Sequence, residues 1–438
     1  MQIPTPMFRC ELTRGWADLG GATLGLACGV GLYTPISSMF FRALEIEFHW
    51  SKTAIVIALV ALPITALFLP MVGRLIDRFG VRPVAGISAV LMATTFFALA
   101  RMDGSLVTFY SAFIAFNVLG AGTGPISYTR PVAERFTSSR GTAIAIALSG
   151  IAISGIVLPP LLGPLIAHVG WRAGYRLIAG ITLVGGVVAV LLIRSSGRNQ
   201  RRQEEAGFTR AQALKTGVFW SLGIAIFCVS AASVGFVSQL QSVAFEFGAT
   251  LQQTTLLLSV TSLAVLPSRL LAGWALDRLR PERVAAAFLL VSSVGFALWL
   301  DSHGPLLLVI GGSILLGVSL GSEHAFMSFF CARRFGLRAY SAIFGALAVF
   351  MYLGMAAGGL LFAIVHDRTS SYAGALYASI GLMVLSAILF LRLPKVSIPV
   401  MQPGQGSAPA TTLQRSPRLP DGRRCWDGRE AESQNDRP

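Results

Sequence analysis

The chain has 438 residues, of which 54% are hydrophobic and only 13% charged, and its mean hydropathy is +0.68. Soluble domains carry about 25% charged residues, so a water-soluble fold of this size could not bury so much apolar surface, and the lipid bilayer is the expected solvent. The net charge of +15 does not indicate nucleic-acid binding, because the basic residues are spread singly between apolar runs without an aromatic-interleaved basic patch.

Twelve apolar stretches are each long enough to cross a bilayer as a helix, which takes about 20 residues. They cover 19–41, 53–73, 83–101, 105–129, 142–167, 173–194, 217–244, 253–275, 283–301, 304–330, 340–365 and 371–392. The first run is full length and lacks a small-residue cleavage site, so we expect it to stay as a helix and not to be a signal peptide. The predicted fold class is therefore all-α integral membrane, with twelve transmembrane helices.

The longest polar connection divides these helices into six plus six. We predict an N-terminal six-helix bundle over 1–194, a cytoplasmic linker over 195–216, a C-terminal six-helix bundle over 217–392 and a disordered cytoplasmic tail over 393–438. With the N-terminus inside, the cytoplasmic connections carry more than three times as many Lys and Arg residues as the others. Both termini are thus expected in the cytoplasm. The excess of Arg over Lys is typical of a GC-rich bacterial genome, so the expected location is a bacterial inner membrane.

A charged motif occurs twice, about 200 residues apart, and each copy forms a short hinge between two apolar runs. The copies are Gly73-Arg74-Leu75-Ile76-Asp77-Arg78-Phe79-Gly80-Val81-Arg82-Pro83 and Gly273-Trp274-Ala275-Leu276-Asp277-Arg278-Leu279-Arg280-Pro281. The leading glycines would let a neighbouring helix approach closely. The aspartates could lie at the N-terminus of a facing helix, where the helix dipole favours an anion. The repeat predicts two pseudo-symmetric six-helix bundles.

Six plus six helices with a duplicated Gly-x-x-x-Asp-Arg hinge resemble the major facilitator superfamily over residues 15–392. The resemblance implies a secondary transporter whose halves rock about a central site, with an inside gate that closes in the outward-open state. The gate residues that it implies are Gly73, Asp77, Arg78, Arg82, Glu134, Arg140, Gly273, Asp277 and Arg278. For Arg82, a role as a simple topological anchor stays open.

The symmetry of the two halves is incomplete. Aligning Phe136 with Phe335 places Arg333 opposite Glu134, so the second half lacks that acid. The second hinge also has no counterpart to Gly80. We therefore expect the conformational latch to lie mainly in the first half.

Arg269 is a charged residue within the eighth predicted helix, and such residues are functional candidates by default. The corresponding residue of the first half is Leu69, so the duplicated architecture does not require an arginine here. A guanidinium presents a planar fork that suits a carboxylate. The segment from Arg269 to Gly273 resembles the eighth helix of monocarboxylate transporters and oxalate/formate antiporters, which implies contact with a substrate carboxylate. The alternatives are snorkelling to the inside face and pairing with Asp277.

Two ionisable residues of the tenth helix, Glu323 and His324, are candidates for carrying a coupling proton. Glu323 could instead pair with a cation such as Arg269 or Arg333. The proton-coupled carriers of the resembling branch have an acid one turn before the arginine, and here that residue is Val265. The coupling mechanism is therefore left open by the sequence.

Neutral polar residues complete the predicted substrate site. The substrate-contact candidates are Arg269, Asn117, Tyr33, Gln239 and Tyr352. An amide that faced lipid would lack a hydrogen-bonding partner, so these residues are expected to face protein or cavity. Hydrogen bonding between helices would explain the neutral ones nearly as well.

Small residues repeat at four-residue spacing on two helices. Gly21, Gly25 and Gly29 do so in the first helix, and Gly354 and Gly358 in the eleventh. Such faces let helix backbones approach closely.

The predicted function is alternating-access transport of a small organic anion, a monocarboxylate in the first instance. The predicted protein is a monomer in the bilayer whose partner is this small molecule, without cofactor, metal or nucleic acid. The alternative is a proton-driven drug or multidrug efflux antiporter, weakly supported by the Gly155 to Gly163 segment of the fifth helix. A membrane enzyme is disfavoured because the sequence has no nucleophile elbow, metal cluster or phosphate-binding loop. A channel is disfavoured because nothing resembles a selectivity filter.

Overall fold

The computed structural model describes residues 6–33, 36–50, 52–58, 61–194, 207–300 and 306–394, which are almost entirely helical. The first half of the chain contains α1 (Pro6–Cys28), α2 (Ser37–Phe48), α3 (Lys52–Ile57), α4 (Ala61–Phe79), α5 (Val81–Leu99), α6 (Leu106–Gly120), α7 (Pro125–Arg135), α8 (Arg140–Val169) and α9 (Trp171–Leu192). The second half contains α10 (Arg210–Leu214), α11 (Gly217–Glu246), α12 (Leu251–Arg278), α13 (Pro281–Leu300), α14 (Leu306–Phe335), α15 (Tyr340–Thr369) and α16 (Ala373–Leu391). The predicted tail beyond residue 394 and linker residues 195–206 lie outside the described residues.

In the described part of the chain, ten helical stretches are long and apolar enough to cross a membrane. They correspond to the third through twelfth predicted spans, and the fourth span consists of α6, a 3₁₀ turn (Ala121–Thr123) and α7. Large apolar side chains on these and neighbouring helices point outward, with Leu67, Leu263 and Leu307 between 72% and 75% exposed. Such surfaces suit lipid, because a soluble monomer rarely exposes wide apolar patches.

The prediction of one uninterrupted helix over 19–41 is wrong. Helix α1 ends at Cys28, a 3₁₀ turn covers Val30–Leu32, and α2 begins at Ser37. Glycine at Gly29 and Gly31 lowers the helix propensity of this stretch. The Val30 backbone N–H donates to the Thr123 hydroxyl (2.9 Å), so the break is satisfied by a neighbouring segment, as non-helical backbone at membrane depth must be.

Each half contains an equivalent contact in which a glutamate at the end of one helix binds the start of another. Glu47 at the end of α2 accepts hydrogen bonds from the side chains of Trp171 and Arg172 at the start of α9. Glu246 at the end of α11 accepts from the Tyr372 backbone N–H (3.0 Å) just before α16. The two glutamates are 199 residues apart, one fewer than the two hinge aspartates, and each precedes a phenylalanine, a pattern that the sequence analysis missed.

The glycine face of α15 packs directly on the α11 backbone. A Cβ atom at Gly354 would lie 2.5 Å from the carbonyl oxygen of Phe227, and one at Gly358 would overlap the carbonyl of Ala231. The expectation of close helix contact at these two glycines is confirmed. Contact between backbones, which cannot move aside like a flexible side chain, makes the face intolerant of larger residues.

We expect Gly358→Val to lower the midpoint of thermal unfolding in detergent by about 5 °C or more, because overpacking a tight contact costs about 1–3 kcal/mol. The matched control is Gly359→Val, since a Cβ at Gly359 would meet only Ser238 Oγ at 3.7 Å, an ordinary contact. Differential scanning fluorimetry on the two purified variants gives the comparison. Equal midpoints would contradict this account of the α11–α15 contact.

The described part of the predicted linker, residues 207–216, contacts the second half and lies near the first hinge. The Phe208 backbone N–H donates to the Phe335 carbonyl oxygen (2.8 Å) at the end of α14, and the two rings pack edge to face. Burial, together with the neighbouring positive charge of Arg74 in the first hinge, lowers the pKa of the Arg210 guanidinium. The segment that precedes α11 is thus attached to the second half and adjacent to the first.

Candidate functional site

Asp77 joins the two halves at the end of the bundle that carries the duplicated motif, which we call the hinge end. Its carboxylate on α4 accepts from the backbone N–H groups of Ser341 (3.2 Å) and Ala342 (2.8 Å) in the first turn of α15. These amides have no partner within their own helix and form the positive end of its dipole. A Cβ at Gly73, one turn earlier, would overlap the Ser341 carbonyl, so the glycine permits this close approach.

Asp277 makes the equivalent contact in the opposite sense. Its carboxylate on α12 accepts from the backbone N–H groups of Gly141 (2.6 Å) and Thr142 (2.7 Å) in the first turn of α8. A Cβ at Gly273 would lie 2.5 Å from the Gly141 carbonyl oxygen. Both aspartates therefore lie where the sequence predicts them, at the N-terminus of a helix from the other half.

Arg130 is the charged partner of Asp77 that the sequence analysis missed. It is 5% exposed on α7, forms an ion pair with Asp77, and donates from Nε to Glu134 (2.7 Å). The sequence pattern that could have indicated its role is the pair Arg130 and Glu134, whose i, i+4 spacing places both side chains on one helix face. The second half has Phe329 at the equivalent position, and among the described residues Asp277 forms no ion pair. The contact at Asp77 thus involves more charged side chains than the contact at Asp277, in line with the incomplete symmetry of the sequence.

Arg82 and Arg140 do not join this network in the way the resemblance implies. Arg82 donates from Nε to the carbonyl oxygen of Val190 (3.0 Å) and from Nη2 to that of Leu191 (3.4 Å) at the end of α9, within its own half. Arg140 donates from Nε to the Ala133 carbonyl (3.2 Å). The predicted contact of Arg82 with the gate acids is therefore absent from this conformation, because carbonyl groups at a helix C-terminus bind its guanidinium.

The remaining hinge arginines lie at the surface. The guanidinium carbon of Arg78 is 5.3 Å from the centre of the Phe79 ring, and that of Arg278 is 4.9 Å from the Trp274 ring. Both side chains therefore make cation–π contacts within their own hinge.

A neutral hydrogen bond also crosses between the halves near the hinge end. Thr129 on α7 donates its hydroxyl hydrogen to the Pro125 carbonyl oxygen (2.6 Å), so the Tyr340 hydroxyl donates to Thr129 Oγ1 (2.9 Å). Both side chains are buried. Sequence spacing gave no signal for this pair.

A cavity lies between the halves, bounded by α4, α6 and α7 on one side and by α14 and α15 on the other. Its polar lining comprises Thr65, Asn117, His324 and Tyr352, and none of the described residues that line it carries a carboxylate. Asn117 donates from Nδ2 to the Phe113 carbonyl (2.9 Å), which leaves its side-chain oxygen for a ligand. The cavity volume of about 40 Å³ holds on the order of a few water molecules. A larger ligand therefore requires the halves to move apart.

Arg269 lies at the interface between the halves and not in the cavity wall. Its side chain is 6% exposed; Nε donates to the Gly321 carbonyl (3.1 Å) on α14, and Nη1 donates to the Leu148 carbonyl (2.7 Å) on α8 of the other half. Within the described ranges it forms no ion pair, so neither snorkelling nor pairing with Asp277 describes its state. His324, one turn beyond Gly321, is close enough to interact electrostatically with the guanidinium.

Glu323 points away from Arg269 and contacts the Ser230 hydroxyl on α11. Its side chain is 4% exposed, and in the described part of the chain it has no cationic partner. The Ser230 hydroxyl also contacts the Ile226 carbonyl oxygen (2.9 Å), and a hydroxyl has a single hydrogen. If that hydrogen goes to the carbonyl, Glu323 must supply its own. If it goes to Glu323, one hydroxyl is the sole compensation for a buried charge, which is unfavourable. Both cases favour a protonated Glu323.

Besides Arg269, two predicted substrate contacts do not line the cavity. Tyr33 belongs to a buried aromatic cluster of the first half, and its hydroxyl hydrogen-bonds the Tyr175 hydroxyl (2.8 Å). Gln239 is partly exposed on α11 and does not line the cavity. The structure thus brings together Asn117, His324 and Tyr352 and separates them from these two residues.

Comparisons with known proteins agree with this architecture. The sequence model of the Major Facilitator Superfamily matches residues 20–242 and 221–420. Human monocarboxylate transporter 11 is 25% identical over 403 residues, which cover 86% of this chain and 81% of that protein. The Escherichia coli fucose:proton symporter FucP has a similar fold, with a TM-score of 0.70 at 15% identity over 88% of this chain and 100% of that one. The human organic anion transporter MFSD10 gives 0.67 at 17% identity over 89% and 100%. The predicted all-α membrane fold of two six-helix halves is confirmed.

Proposed function

This chain belongs to the Major Facilitator Superfamily and is a secondary transporter rather than an enzyme, and from that premise we propose that it carries a small monocarboxylate across the membrane. The relatives include a monocarboxylate transporter, at 25% identity. We place the hinge end in the cytoplasm of a bacterial cell, because the basic connections lie at that end. The working unit in this proposal is a monomer.

The observation that carries the proposal is a buried arginine that has no anionic partner among the residues that the structure describes. In the described part of the chain Arg269 donates to two backbone carbonyls, and a buried cation is stabilised far better by a carboxylate in bidentate contact. One cation matches one negative charge, so a monoanion leaves the loaded site neutral, whereas a dianion would introduce an unpaired charge. His324 and Asn117 supply further hydrogen-bonding groups in the adjacent cavity.

Alternating access follows from where the contacts between the halves lie. The bonds of Asp77, Asp277 and Tyr340 all cross at or near the hinge end and close the path from the cavity to that side. Each would break when the halves rock apart. The two aspartates bind helix N-termini symmetrically, so they can release and reform as a unit.

The experiment is uptake by the purified protein in liposomes. We expect saturable uptake of radiolabelled formate, lactate, butyrate or benzoate, and at least about tenfold slower uptake of succinate and oxalate. Each compound is measured with and without a pH gradient, and protein-free liposomes correct for passive diffusion of the neutral acids. If none of these organic anions is transported, the anion-carrier function is refuted.

The second candidate function is a proton-driven efflux antiporter, and Glu323 is the observation that favours it. A buried carboxyl group that holds a proton in one conformation can release it in another. This function makes Arg269 dispensable and Glu323 essential. It predicts that transport survives Arg269→Leu and is lost in Glu323→Gln.

A further inference from the structure

Three arginines from different segments lie near the start of α15. Arg74 on α4 follows Gly73, which contacts the backbone of the first turn of α15. Arg210 begins α10, which packs against α15. Arg338 lies in the connection before α15, and a Cβ atom at Gly207 would lie 3.2 Å from its Cβ. We call these three side chains, which come from the first half, the linker and the second half, the arginine cluster.

The arginine cluster has almost no acid to balance its charge. The segments that contain it, residues 61–79, 207–216 and 336–339, include one carboxylate, that of Asp77. This carboxylate already binds Arg130 and the first turn of α15. None of the three arginines forms an ion pair with a residue that the structure describes. Positive charge is therefore concentrated where the two halves and the linker meet.

Arg210 has an unused hydrogen-bond donor at this place. Its Nε is buried from solvent and has no acceptor among the described residues. Arg74 is close enough to interact with it electrostatically, and two like charges repel. An oxyanion that accepted from Arg210 and also faced Arg74 would offset both costs. A phosphate group suits this geometry, because its oxygens can accept from two guanidinium forks at once.

The outward face of α4 places the cluster at the membrane surface. Leu67 and Met71 are exposed, and Arg74 follows Met71 at i+3, so it ends an apolar stripe that suits lipid. Trp220 at the start of α11 is also exposed and donates from Nε1 to the Leu214 carbonyl (3.0 Å) of the linker. Exposed tryptophans are enriched where the hydrocarbon meets the headgroups. The arginine cluster thus lies at the depth of lipid headgroups.

We propose that the arginine cluster binds the phosphate group of an anionic phospholipid, which bridges the two halves at the hinge end. The phosphate accepts from Arg74 of the first half and from Arg210, whose segment is fixed to the second half by the Phe208–Phe335 hydrogen bond. Arg74 moves away from Arg210 when the hinge end opens, so the bridge exists in the closed conformation. An anionic membrane therefore stabilises the closed hinge end. This site is separate from the cavity and does not depend on which compound is transported.

Binding is tested on the purified, delipidated protein by native mass spectrometry, with phosphatidylglycerol and the zwitterionic phosphatidylcholine as probes. We expect tighter binding of phosphatidylglycerol, and at least about tenfold weaker binding in the double variant Arg74→Ala, Arg210→Ala, because each arginine near an anionic headgroup contributes about fivefold. The matched control Arg280→Ala, Arg283→Ala removes two exposed arginines beside the second hinge and should bind like the parent.

Inorganic phosphate distinguishes a lipid from a free anion. In differential scanning fluorimetry, phosphatidylglycerol should raise the unfolding midpoint of the parent but not that of the double variant at Arg74 and Arg210. Sodium phosphate, compared with sodium chloride at equal ionic strength, should leave the midpoint unchanged. An equal rise with phosphate would overturn the lipid as the ligand. Equal binding of both lipids, or of phosphatidylglycerol by the parent and the double variant, would overturn the site. If the double variant cannot be purified, Arg74→Gln serves instead, with an expected loss of about fivefold.

The conformational effect is measured in nanodiscs of either lipid. Spin labels at Ser138→Cys and Leu279→Cys, both exposed at the hinge end, report the separation of the halves after Cys10 and Cys425 are replaced by serine. We expect the proportion of long distances to be about fivefold lower or less in phosphatidylglycerol than in phosphatidylcholine. The difference should vanish in the double variant and persist in the control. The same distances in both membranes would overturn the bridge between the halves.

Discussion

Replacing Arg269 by alanine is expected to lower the initial rate of monocarboxylate uptake about a hundredfold at substrate concentrations below KM. Truncating one partner of a buried, hydrogen-bonded charge pair costs about 2–5 kcal/mol, and each 1.4 kcal/mol is a factor of ten. The side chain is 6% exposed, so water would not replace the lost contact. The measurement is uptake by proteoliposomes over a range of substrate concentrations, which separates an effect on KM from one on kcat.

Two further variants test whether the loss of transport is specific to the guanidinium of Arg269. Arg269→Lys keeps the charge and loses the planar fork, so a reduction of about tenfold is expected. Arg283→Ala, at an exposed position of α13, should transport like the parent. If Arg269→Ala and Arg269→Lys both retain parental rates, Arg269 does not bind the substrate carboxylate, and loss of transport in Glu323→Gln would then favour a proton-driven mechanism.

The depth of a residue in the membrane could be predicted from the sequence, whereas the direction of its side chain could not. Glu323 and His324 are neighbours on α14, and successive helical residues point about 100° apart. His324 therefore lines the cavity while Glu323 contacts Ser230 on α11. Which of the two faces the cavity depends on how α14 is rotated against its neighbours, and that rotation is set by packing of the whole bundle.

The hinges could be predicted because their signal is duplicated and local. A glycine one turn before an aspartate at the end of an apolar run indicates a close helix contact and a partner that binds an anion. Both aspartates bind the N-terminus of a helix from the other half. The ion pair of Arg130 was not predicted because its partner, Asp77, lies 53 residues away in the chain. The hydrogen bond from Arg269 to the Leu148 carbonyl could not be predicted at all, because every residue has a carbonyl and no sequence pattern marks the one to which a side chain will donate.

The break in the first span shows a different limit. An apolar run of this length predicts a helix, and Gly29 within it, together with Gly21 and Gly25, also fits a tightly packed helical face. Whether such glycines pack or break the helix depends on a partner for the freed backbone groups. Here the Thr123 hydroxyl accepts from the Val30 N–H, and that partner comes from a distant part of the chain.

Replacing Arg130 by leucine is expected to weaken the closed hinge end more than removal of either hinge aspartate's charge. The substitution leaves Asp77 and Glu134 without their shared cation at a site where Arg130 was 5% exposed. Breaking a buried ion pair by removing one partner costs about 3–5 kcal/mol, because the other charge stays buried. We expect a lower midpoint of thermal unfolding and a loss of transport of about a hundredfold.

The matched test is whether a second substitution repairs the first. Adding Asp77→Asn to Arg130→Leu removes the stranded charge and keeps an oxygen that can accept from the start of α15, so part of the lost stability should return. Asp277→Asn alone should have a smaller effect than Arg130→Leu, because Phe329 occupies the position equivalent to Arg130, and among the described residues Asp277 has hydrogen-bond donors and a longer-range interaction with Arg140 but no direct ion pair. Equal effects at the two hinges, or a double variant no better than Arg130→Leu, would mean that the ion pair does not hold the halves together. The asymmetry then would have no energetic role, and the two aspartates alone would close the hinge end.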